Sequence, residues 1–392
     1  MTPTTEPMNV NAAQPCLYMA MELGSTKWVL AFCRADAQTI RRRTISARDL
    51  AALDVELASA RSKLGLPSKC PVYACHEAGR DGFWVHRELA KRGIENVVVD
   101  ASSMERAPGR RAKTDRIDVA RLLRNLLRHR RGERVWSTCR VPSAEQEDER
   151  RNEREIARLK RERSSLVNVI KAGLALHGVQ WGRGKLPANF DETRCPNGEP
   201  LPPFHRRELN RSLARMRVIE ADIEAVRAER DLWLEEGGSV RPLKIATALM
   251  LLKGIGENFA WTMTLELLGW RRFERPKEVG AAVGLVPTPF RSDQSVDKEL
   301  GVSKRGMPRL RAMLVEIAWL WLRYQPETKL ARWFEERFGA SGKRSRRIGI
   351  VALARRLAIA LWNYAENGVC PEGAVFKERG PAADAYRRLM AA

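Results

Sequence analysis

The stretch Leu17-Tyr-Met-Ala-Met-Glu-Leu-Gly-Ser-Thr-Lys-Trp-Val-Leu-Ala-Phe-Cys33 decides the fold of the first third of the chain. Two apolar runs, Leu17–Leu23 and Lys27–Cys33, flank Gly24-Ser25, and this pattern predicts two antiparallel strands joined by a tight turn. Residues Thr39–Ile45 predict a third strand that continues the sheet.

Helices and strands then alternate as far as residue 142. The apolar spacing predicts helices and strands over the following ranges: helices Ala47–Leu64, Phe83–Arg92 and Lys113–Arg128, and strands Pro71–Cys75 and Asn96–Asp100. The order of these elements is that of an α/β domain with an RNase H-like fold over residues 16–142. In such a sheet the first and fourth strands are neighbours, and the last helix packs across their ends.

The charge of the chain indicates its kind of partner. The 392 residues include 70 Lys and Arg against 48 Asp and Glu, a net charge of +22, which favours phosphate-rich partners. No apolar run of 18 or more residues predicts a membrane span. The polar residues 1–15 have no signal-peptide pattern, so we expect a frayed tail and a cytoplasmic, nucleoid-associated prokaryotic protein. Seven scattered cysteines without a CxxC pair predict reduced thiols.

A different pattern begins at Pro142. Charge-dense segments with heptad-like apolar spacing, Glu145–Gly173 and Arg207–Trp233, surround a Gly- and Pro-rich loop. Over residues 143–241 this predicts a coiled-coil hairpin or dimerisation arm, while a two-helix bundle packed on a neighbouring domain stays equally open. Residues 242–383 predict a mainly helical unit, with Trp319–Leu322 and Ile348–Trp362 as core helices, and residues 384–392 predict a tail.

Four acids fall where the predicted fold would gather them. Glu22 ends the first strand, Glu77 follows the fourth, and Asp115 and Asp118 share a face at the start of a helix. Such oxygen ligands suit Mg²⁺, and two such ions can stabilise the attacking and leaving oxygens of a phosphodiester. As alternatives, Asp115 and Asp118 could interact with the helix N-terminal dipole, and Glu77 could cap the turn Ala78-Gly79.

Basic residues surround these acids. Residues 106–134 contain eleven Lys and Arg and three acids, and the candidates for phosphate contact are Arg110, Arg111, Lys113 and Arg116.

Five motifs carry a resemblance to a known family. They are Glu77-Ala-Gly-Arg-Asp-Gly-Phe-Trp, Lys113-Thr-Asp-Arg-Ile-Asp, Lys253-Gly-Ile-Gly, Gly284-Leu-Val-Pro-Thr-Pro-Phe and Val302-Ser-Lys-Arg-Gly. In this order they resemble the DEDD transposases of the insertion-sequence one-hundred-ten family, relatives of the Piv DNA invertases. The resemblance covers nearly the whole chain.

The resemblance implies a fold, a chemistry and partners. It implies a RuvC-like N-terminal domain whose acids Glu22, Glu77, Asp115 and Asp118 bind Mg²⁺, a coiled-coil middle, and a C-terminal transposase domain. The nucleophilic serine of the family's C-terminal domain corresponds to Ser292 in this chain. Glu22 replaces an expected Asp, and Asp293 replaces an expected Gly. The implied partners are donor DNA, target DNA, a structured bridge RNA and further copies of the chain in a dimer or tetramer.

Further basic residues predict nucleic-acid contacts in the last unit. Lys253, Gly254 and Gly256 resemble a helix-hairpin-helix, in which glycines let backbone N–H groups approach phosphates, although a plain helical turn is an equal alternative. The other candidates are Lys304, Arg305, Arg309, Lys343 and Arg344.

Three functions fit these patterns. The first is an Mg²⁺-dependent DNA transposase or recombinase that joins DNA through a phosphoserine and is guided by a bridge RNA. The second is a RuvC-type nuclease or junction resolvase, in which the acids direct water and Ser292 is idle. The third is a nucleic-acid-binding protein whose catalytic site has decayed. A site-specific invertase without guide RNA remains open within the resemblance.

Overall fold

The computed structural model describes residues 15–36, 39–79, 81, 83–100, 103, 115–181, 187–235, 240–290, 298–302 and 306–378. Within these ranges, the side chains of residues 115–117, 233–235, 240, 287–290 and 298–301 are not described. The chain divides into two compact units, Met1–Pro142 and Ser143–Ala392.

A five-stranded mixed sheet forms the centre of the first unit. Its strands are β1 Leu17–Leu23, β2 Lys27–Arg34, β3 Arg41–Ser46, β4 Val72–Glu77 and β5 Glu95–Val99. The order across the sheet is β3-β2-β1-β4-β5, with β1 antiparallel to β2 and parallel to β4. The predicted hairpin and the predicted pairing of the first and fourth strands are therefore confirmed.

Helices cover both faces of this sheet because its strands are apolar on both sides. Leu17, Met19 and Met21 pack with α1 (Leu50–Lys63) and α2 (Trp84–Lys91). The intervening side chains of Tyr18 and Ala20 pack with α3 (Asp115–Arg130) on the opposite face. Alternate residues of a strand point to opposite faces, so this division fixes the direction of every other side chain of β1.

Strand β4 extends two residues further than the sequence pattern predicts. Its predicted end was Cys75, but pairing with β5 continues to Glu77, which lies opposite Val99. Glu77 is consequently the last residue of a strand and does not follow it. The polar His76-Glu77 ending hides this extension in the sequence, since the apolar run stops at Cys75.

The second unit begins with a long antiparallel helical hairpin, formed by α4 (Ala144–Ala175) and α5 (Pro203–Glu235). Near its base, Asn152 Nδ2 donates to Val226 O at 2.9 Å, and near its tip Gly173 packs against His205. Two apolar clusters line the seam between the helices. The two predicted helices therefore pair as a hairpin, whereas a coiled-coil or dimerisation role for residues 143–241 stays a prediction.

The remaining elements are helices, whose side chains pack around one core, and a two-stranded pair. They are α6 Val240–Leu251, α7 Glu257–Met263, α8 Pro276–Ala282, α9 Pro308–Tyr324, α10 Lys329–Phe334, α11 Lys343–Asn367, and the two-stranded pair β6 Pro287–Phe290 and β7 Lys298–Val302. One π-helical turn, Thr264–Leu268, extends α7, and another, Glu335–Gly339, extends α10.

Helix α11 is the one described helix that is long and apolar enough to cross a membrane by length and composition. Its Leu353, Leu357 and Leu361 are fully buried against α9 and the other core helices. Core helices of folded domains pass the same test, and the packing of α11 is that of a core helix.

Candidate active site and nucleic-acid interface

Glu22 and Glu77 lie at the same level on neighbouring parallel strands. The β1–β4 register pairs Leu17 with Val72 and Met21 with His76, so partners are 55 positions apart in the chain. Glu22 and Glu77 are the next pair in that register. Neighbouring strands are about 4.8 Å apart. Both glutamates are half-buried at the carboxyl ends of their strands.

Both glutamates also belong to the face of the sheet that α3 covers. Glu22 follows Tyr18 and Ala20 in the alternation of β1, and Glu77 follows Cys75 in that of β4. Tyr18, Ala20 and Cys75 all pack in the cluster that includes the apolar stripe of α3. The same strand periodicity therefore directs both glutamates toward α3.

The direction of α3 follows from three contacts. At its C-terminal end, Arg130 lies 3.9 Å from the centre of the Tyr73 ring and donates to Glu95 Oε1 at 2.6 Å. Tyr73 and Glu95 are near the amino ends of β4 and β5, whereas Cys75 Sγ, further along β4, contacts Leu122 O at 3.8 Å. Helix α3 therefore runs opposite to β4, and its N-terminus lies at the edge where Glu22 and Glu77 end.

Asp118 lies on the N-terminal part of α3, one turn before Leu122, and its side chain is half-buried. Asp115 begins the helix and shares a face with Asp118, although its side chain is not described. The backbone thus places all four predicted acids at one edge of the sheet, and their joint role as metal ligands stays a prediction.

The donor chemistry at this edge suits a hard divalent ion, because every candidate ligand is a carboxylate. Among the described residues, however, no three His, Cys, Asp or Glu side chains form a group that could hold a metal ion. Any fit to a metal ion therefore rests on donor type and backbone position, with Glu22, Glu77 and Asp118 as described candidates and Asp115 as the fourth candidate.

A buried histidine, which the sequence analysis missed, lies beside this edge. His76 precedes Glu77 and points to the opposite face of the sheet, where its side chain is fully buried. Burial lowers its pKa to about 4, so the ring is neutral at neutral pH. Nearby, Asn96 Nδ2 and His86 Nδ1 are 3.0 Å apart. The alternation of side chains along a strand could have predicted this position, since it places His76 on the face of the sheet opposite to Glu77.

The predicted nucleic-acid contacts of the second unit occupy different environments. Lys253 and Gly256 are exposed, and Gly254 has a left-handed φ of +86° in the turn between α6 and α7. Lys343 and Arg344 are exposed at the start of α11.

Arg309, by contrast, makes internal contacts: it donates to Thr262 Oγ1 at 3.0 Å and to Glu153 O at 3.4 Å. Burial lowers the pKa of its guanidinium.

Several predicted site residues lie outside the described part of the chain. They are Arg110, Arg111, Lys113, Ser292, Lys304 and Arg305, together with Asp293 and the side chain of Arg116. The segment that contains Ser292 connects β6 to β7, and these strands pair from Pro287–Val302 to Phe290–Lys298.

A partly buried ionic cluster joins the base of the α4–α5 hairpin to the helical bundle. Glu153 is 2% exposed and accepts from Arg230 Nη1 at 3.0 Å, while Arg230 also contacts Glu257. Glu266 accepts from Arg154 Nε at 2.6 Å. We call Glu153, Arg154, Arg230, Glu257 and Glu266 the base cluster. Sequence analysis missed it because the charges of α4 and α5 suggest solvated helix faces.

The pKa values of two acids of the base cluster, Glu153 and Glu266, are shifted in opposite directions. Burial raises the pKa of Glu153, and this effect outweighs the opposing charge of Arg230. Burial also acts to raise the pKa of Glu266, but the hydrogen bond and charge of Arg154 outweigh it and the net pKa is lowered.

A mixed α/β sheet with carboxylates at one edge, in a chain of net charge +22, is typical of proteins that process nucleic acids. Comparison with known proteins narrows this class. The profile of the family described as transposase IS116/IS110/IS902 matches residues 246–331. Together with the full-length relative described next, this shows that the chain belongs to the IS116/IS110/IS902 transposase family.

The relatives cover most of the chain. The inferred transposase y4rJ of Sinorhizobium fredii is 39% identical over 378 residues, which are 92% of this chain and 94% of the relative. A second inferred transposase of that organism, y4qE, is 30% identical over 65% of this chain and 60% of the relative. The transposase of insertion sequence element IS1328 of Yersinia enterocolitica is 28% identical over 54% of this chain and 60% of the relative.

Proposed function

We propose that this transposase cuts and rejoins DNA through a transient covalent bond between Ser292 and a DNA phosphate, with Mg²⁺ held by the N-terminal acids. The observation that carries the proposal is the placement of Glu22 and Glu77 at one level of adjacent strands, on the face where α3 begins with Asp115 and Asp118. A transposase acts on DNA, and a carboxylate edge supplies the ligand type that phosphodiester chemistry needs.

The four acids would hold and orient the metal. Glu22 and Glu77 project from strands that pair on both sides, so their backbone positions are fixed by the sheet. When bound there, Mg²⁺ would withdraw charge from the phosphate and make its phosphorus easier to attack. Glu22 carries one methylene more than the Asp of the family pattern, and its flexible side chain at the strand end would have to absorb this difference.

Ser292 would supply the nucleophile. Its Oγ forms a bond to phosphorus while the bond from phosphorus to one bridging DNA oxygen breaks. The hydroxyl proton of the serine passes to that departing oxygen, which becomes a free DNA end. Rejoining reverses these steps with the hydroxyl end of another strand. Arg291, Lys298 and Lys304, which are close to Ser292 in sequence, would balance charge on the reacting phosphate.

The partners follow from the family resemblance and from charge. Donor and target DNA, a structured bridge RNA and a homo-oligomer, dimer or tetramer, belong to the proposal. Lys253, Gly256, Lys343 and Arg344 support nucleic-acid binding because all four are exposed on the helical unit. Basic side chains on such a surface contact phosphates without reading base sequence.

Trapping the covalent bond tests the nucleophile. A nicked DNA substrate that loses a short strand on cleavage should leave wild-type protein attached to DNA through a detergent-resistant bond. Ser292→Ala should give no adduct while it still binds DNA in a gel-shift assay. The matched controls Ser295→Ala and Ser303→Ala should retain the adduct.

Two results would contradict the assignment. An adduct formed by Ser292→Ala would place the nucleophile on another residue. Metal-dependent cleavage by the wild type without any adduct would favour the nuclease, in which the acids direct water. Sequencing of RNA that copurifies with the protein tests the guide separately, because a guided enzyme should retain one structured RNA.

A further inference from the structure

We infer that an exposed aromatic and basic surface on α9 binds unpaired nucleotides of a DNA strand. It consists of Lys253, Trp319, Arg323 and Tyr324, and we call it the α9 platform. The inference rests on the proposed DNA cutting, which frees single strands near the protein. It adds a binding site for those strands, distinct from the acidic edge and from Ser292.

The aromatic residues of the platform are exposed although the surrounding helix is in the core. Trp319 is 42% exposed and Tyr324 is 45% exposed, whereas Trp321 between them is fully buried. Trp319 and Arg323 are four residues apart and share one helix face. The guanidinium carbon of Arg323 lies 5.4 Å from the centre of the Tyr324 ring.

The platform continues across to the turn between α6 and α7. A Cβ built on Gly254 would lie 3.4 Å from Tyr324 Cβ and 3.4 Å from Leu320 O, so the glycine packs closely against the end of α9. Lys253, the preceding residue, is exposed. Lys253 is therefore an exposed cation directly beside the turn that packs against Tyr324.

A buried glutamine holds these segments together. Gln325, directly after Tyr324, is fully buried and donates from Nε2 to Lys253 O at 3.0 Å and to Val375 O at 2.8 Å. Its Oε1 accepts from Val375 N at 2.7 Å. These three hydrogen bonds fix the turn and the end of α9 before any ligand binds. A preorganised surface loses less conformational entropy on binding.

Charge favours a nucleic acid over an apolar partner. Within the described ranges, neither Lys253 nor Arg323 forms an ion pair with a carboxylate, in contrast to the arginines of the base cluster. The acid on the same face, Glu316, is exposed one turn before Trp319 and lies at the end of the platform away from Lys253.

The aromatic residues favour unpaired bases over a duplex. Lysine and arginine contact the phosphates of either form, but an aromatic ring can stack only on a base that has left the helix. Such stacking tolerates any base sequence. The α9 platform thus has both parts of a single-strand site, cations for phosphates and rings for bases.

Binding assays with the full chain test the inference. Fluorescence anisotropy would measure the Kd for a labelled 12-nucleotide single strand of DNA and for a duplex of the same sequence, at one salt concentration. Tyr324→Leu and Trp319→Leu should each weaken single-strand binding by about 5- to 100-fold, the range expected for loss of one stacked base. Duplex binding should change less than about twofold.

The hairpin offers a matched control. Phe204 is 79% exposed, and Arg207 lies 4.7 Å above its ring, so it too is an exposed aromatic beside an arginine. Phe204→Leu should leave both Kd values unchanged. An equal loss of single-strand binding in Phe204→Leu, or an equal loss of duplex binding in Tyr324→Leu, would overturn the assignment. Thermal melting of each variant excludes unfolding as the cause.

A crosslink gives a second, direct readout. A photoreactive thymidine analogue in the single strand should crosslink to peptides that contain Tyr324 or Trp319, as located by mass spectrometry, and an RNA strand tested in parallel shows whether DNA is preferred. Crosslinks confined to other segments, or tighter binding of RNA than of DNA, would contradict the inference. These assays use no catalysis, so the site stands or fails independently of the Ser292 adduct.

Discussion

The acids of the sheet edge and the acids of the base cluster contrast within one basic chain. Glu22 and Glu77 are half-buried at the ends of paired strands, and they project from the sheet edge at which α3 begins. Glu153 is buried inside the helical unit and the side chain of Glu266 there is only 15% exposed, and arginine nitrogens lie 2.6 to 3.0 Å from both carboxylates.

This contrast separates two uses of the same side chain. Acids that stay partly open to solvent at an edge can exchange protein partners for a metal ion or a ligand. Acids that are buried with arginines cannot exchange their partners without loss of stability, because removal of one partner leaves a desolvated charge. Substitution should therefore reduce activity at the sheet edge and stability at the base cluster.

The largest effect is expected at the sheet edge. Glu77→Gln keeps the size of the side chain but removes a charged metal ligand, and we expect DNA joining to fall at least about 100-fold, roughly 2.7 kcal/mol of transition-state stabilisation. A plasmid excision assay would measure the loss. Glu95→Gln, at the opposite end of the same sheet, should stay within about twofold. An equal loss of DNA joining in Glu77→Gln and Glu95→Gln would contradict the assignment of a metal site to this edge.

The next effect concerns stability. Arg230→Met removes the partner of buried Glu153, and we expect a loss of about 3–5 kcal/mol in the free energy of unfolding. The melting temperature should fall by about 6–20 °C. Arg227→Met, in an exposed pair with Glu224 on the same helix, is the control and should change stability by less than about 0.5 kcal/mol. An Arg230→Met protein with the same free energy of unfolding as the wild type would show that the base cluster does not stabilise the fold.

A smaller effect is expected from pH. The pKa of Glu266 is lowered in the folded state, so its stabilising contribution is present above the unfolded pKa and is lost as pH falls through the folded pKa. The melting temperature of Glu266→Gln should approach that of the wild type as pH falls from about 5 to about 3, through and below the unfolded glutamate pKa of about 4.3. Glu153 opposes this trend, because its pKa is raised. Exposed Glu274→Gln should follow the wild type throughout, and a constant gap for Glu266→Gln would contradict the prediction.

The smallest effect is local. Ser143 begins α4 with a capping box, in which its Oγ accepts from Gln146 N at 3.2 Å and Gln146 Oε1 accepts from Ser143 N at 3.1 Å. Ser143→Ala should cost about 1 kcal/mol. Chemical denaturation would measure this loss, and activity should be unchanged. A larger loss in the free energy of unfolding for Ser143→Ala than for Arg230→Met would contradict this prediction, in which the buried ion pair contributes more than the helix cap.

The sequence predicts the sheet well because its signal is local. The alternation around Gly24 predicts β1 and β2, and the spacing of Ile117, Ala120 and Leu123 predicts α3. From these elements the common edge of Glu22 and Asp118 follows. Ser292, which the family resemblance identifies, stays a prediction.

The base cluster could not be predicted, because burial of a charged helix face depends on packing between distant segments. Glu153 and Arg230 are 77 residues apart, and each lies in a segment whose charges suggest exposure. The predicted core segment Trp319–Leu322 was wrong in part for the same reason. Trp321 faces the core while Trp319 lies on the exposed side of α9, and composition alone does not distinguish the two faces.

The length of α4 gives the base cluster a mechanical consequence. With 32 residues and a rise of about 1.5 Å each, α4 is a rod about 48 Å long, held near one end by ionic contacts. A rotation of about 5° at that end displaces the far end by about 4 Å, roughly the spacing of neighbouring strands in a sheet. The stiffness of a few arginine–glutamate contacts therefore sets how accurately the hairpin tip is positioned relative to the helical bundle.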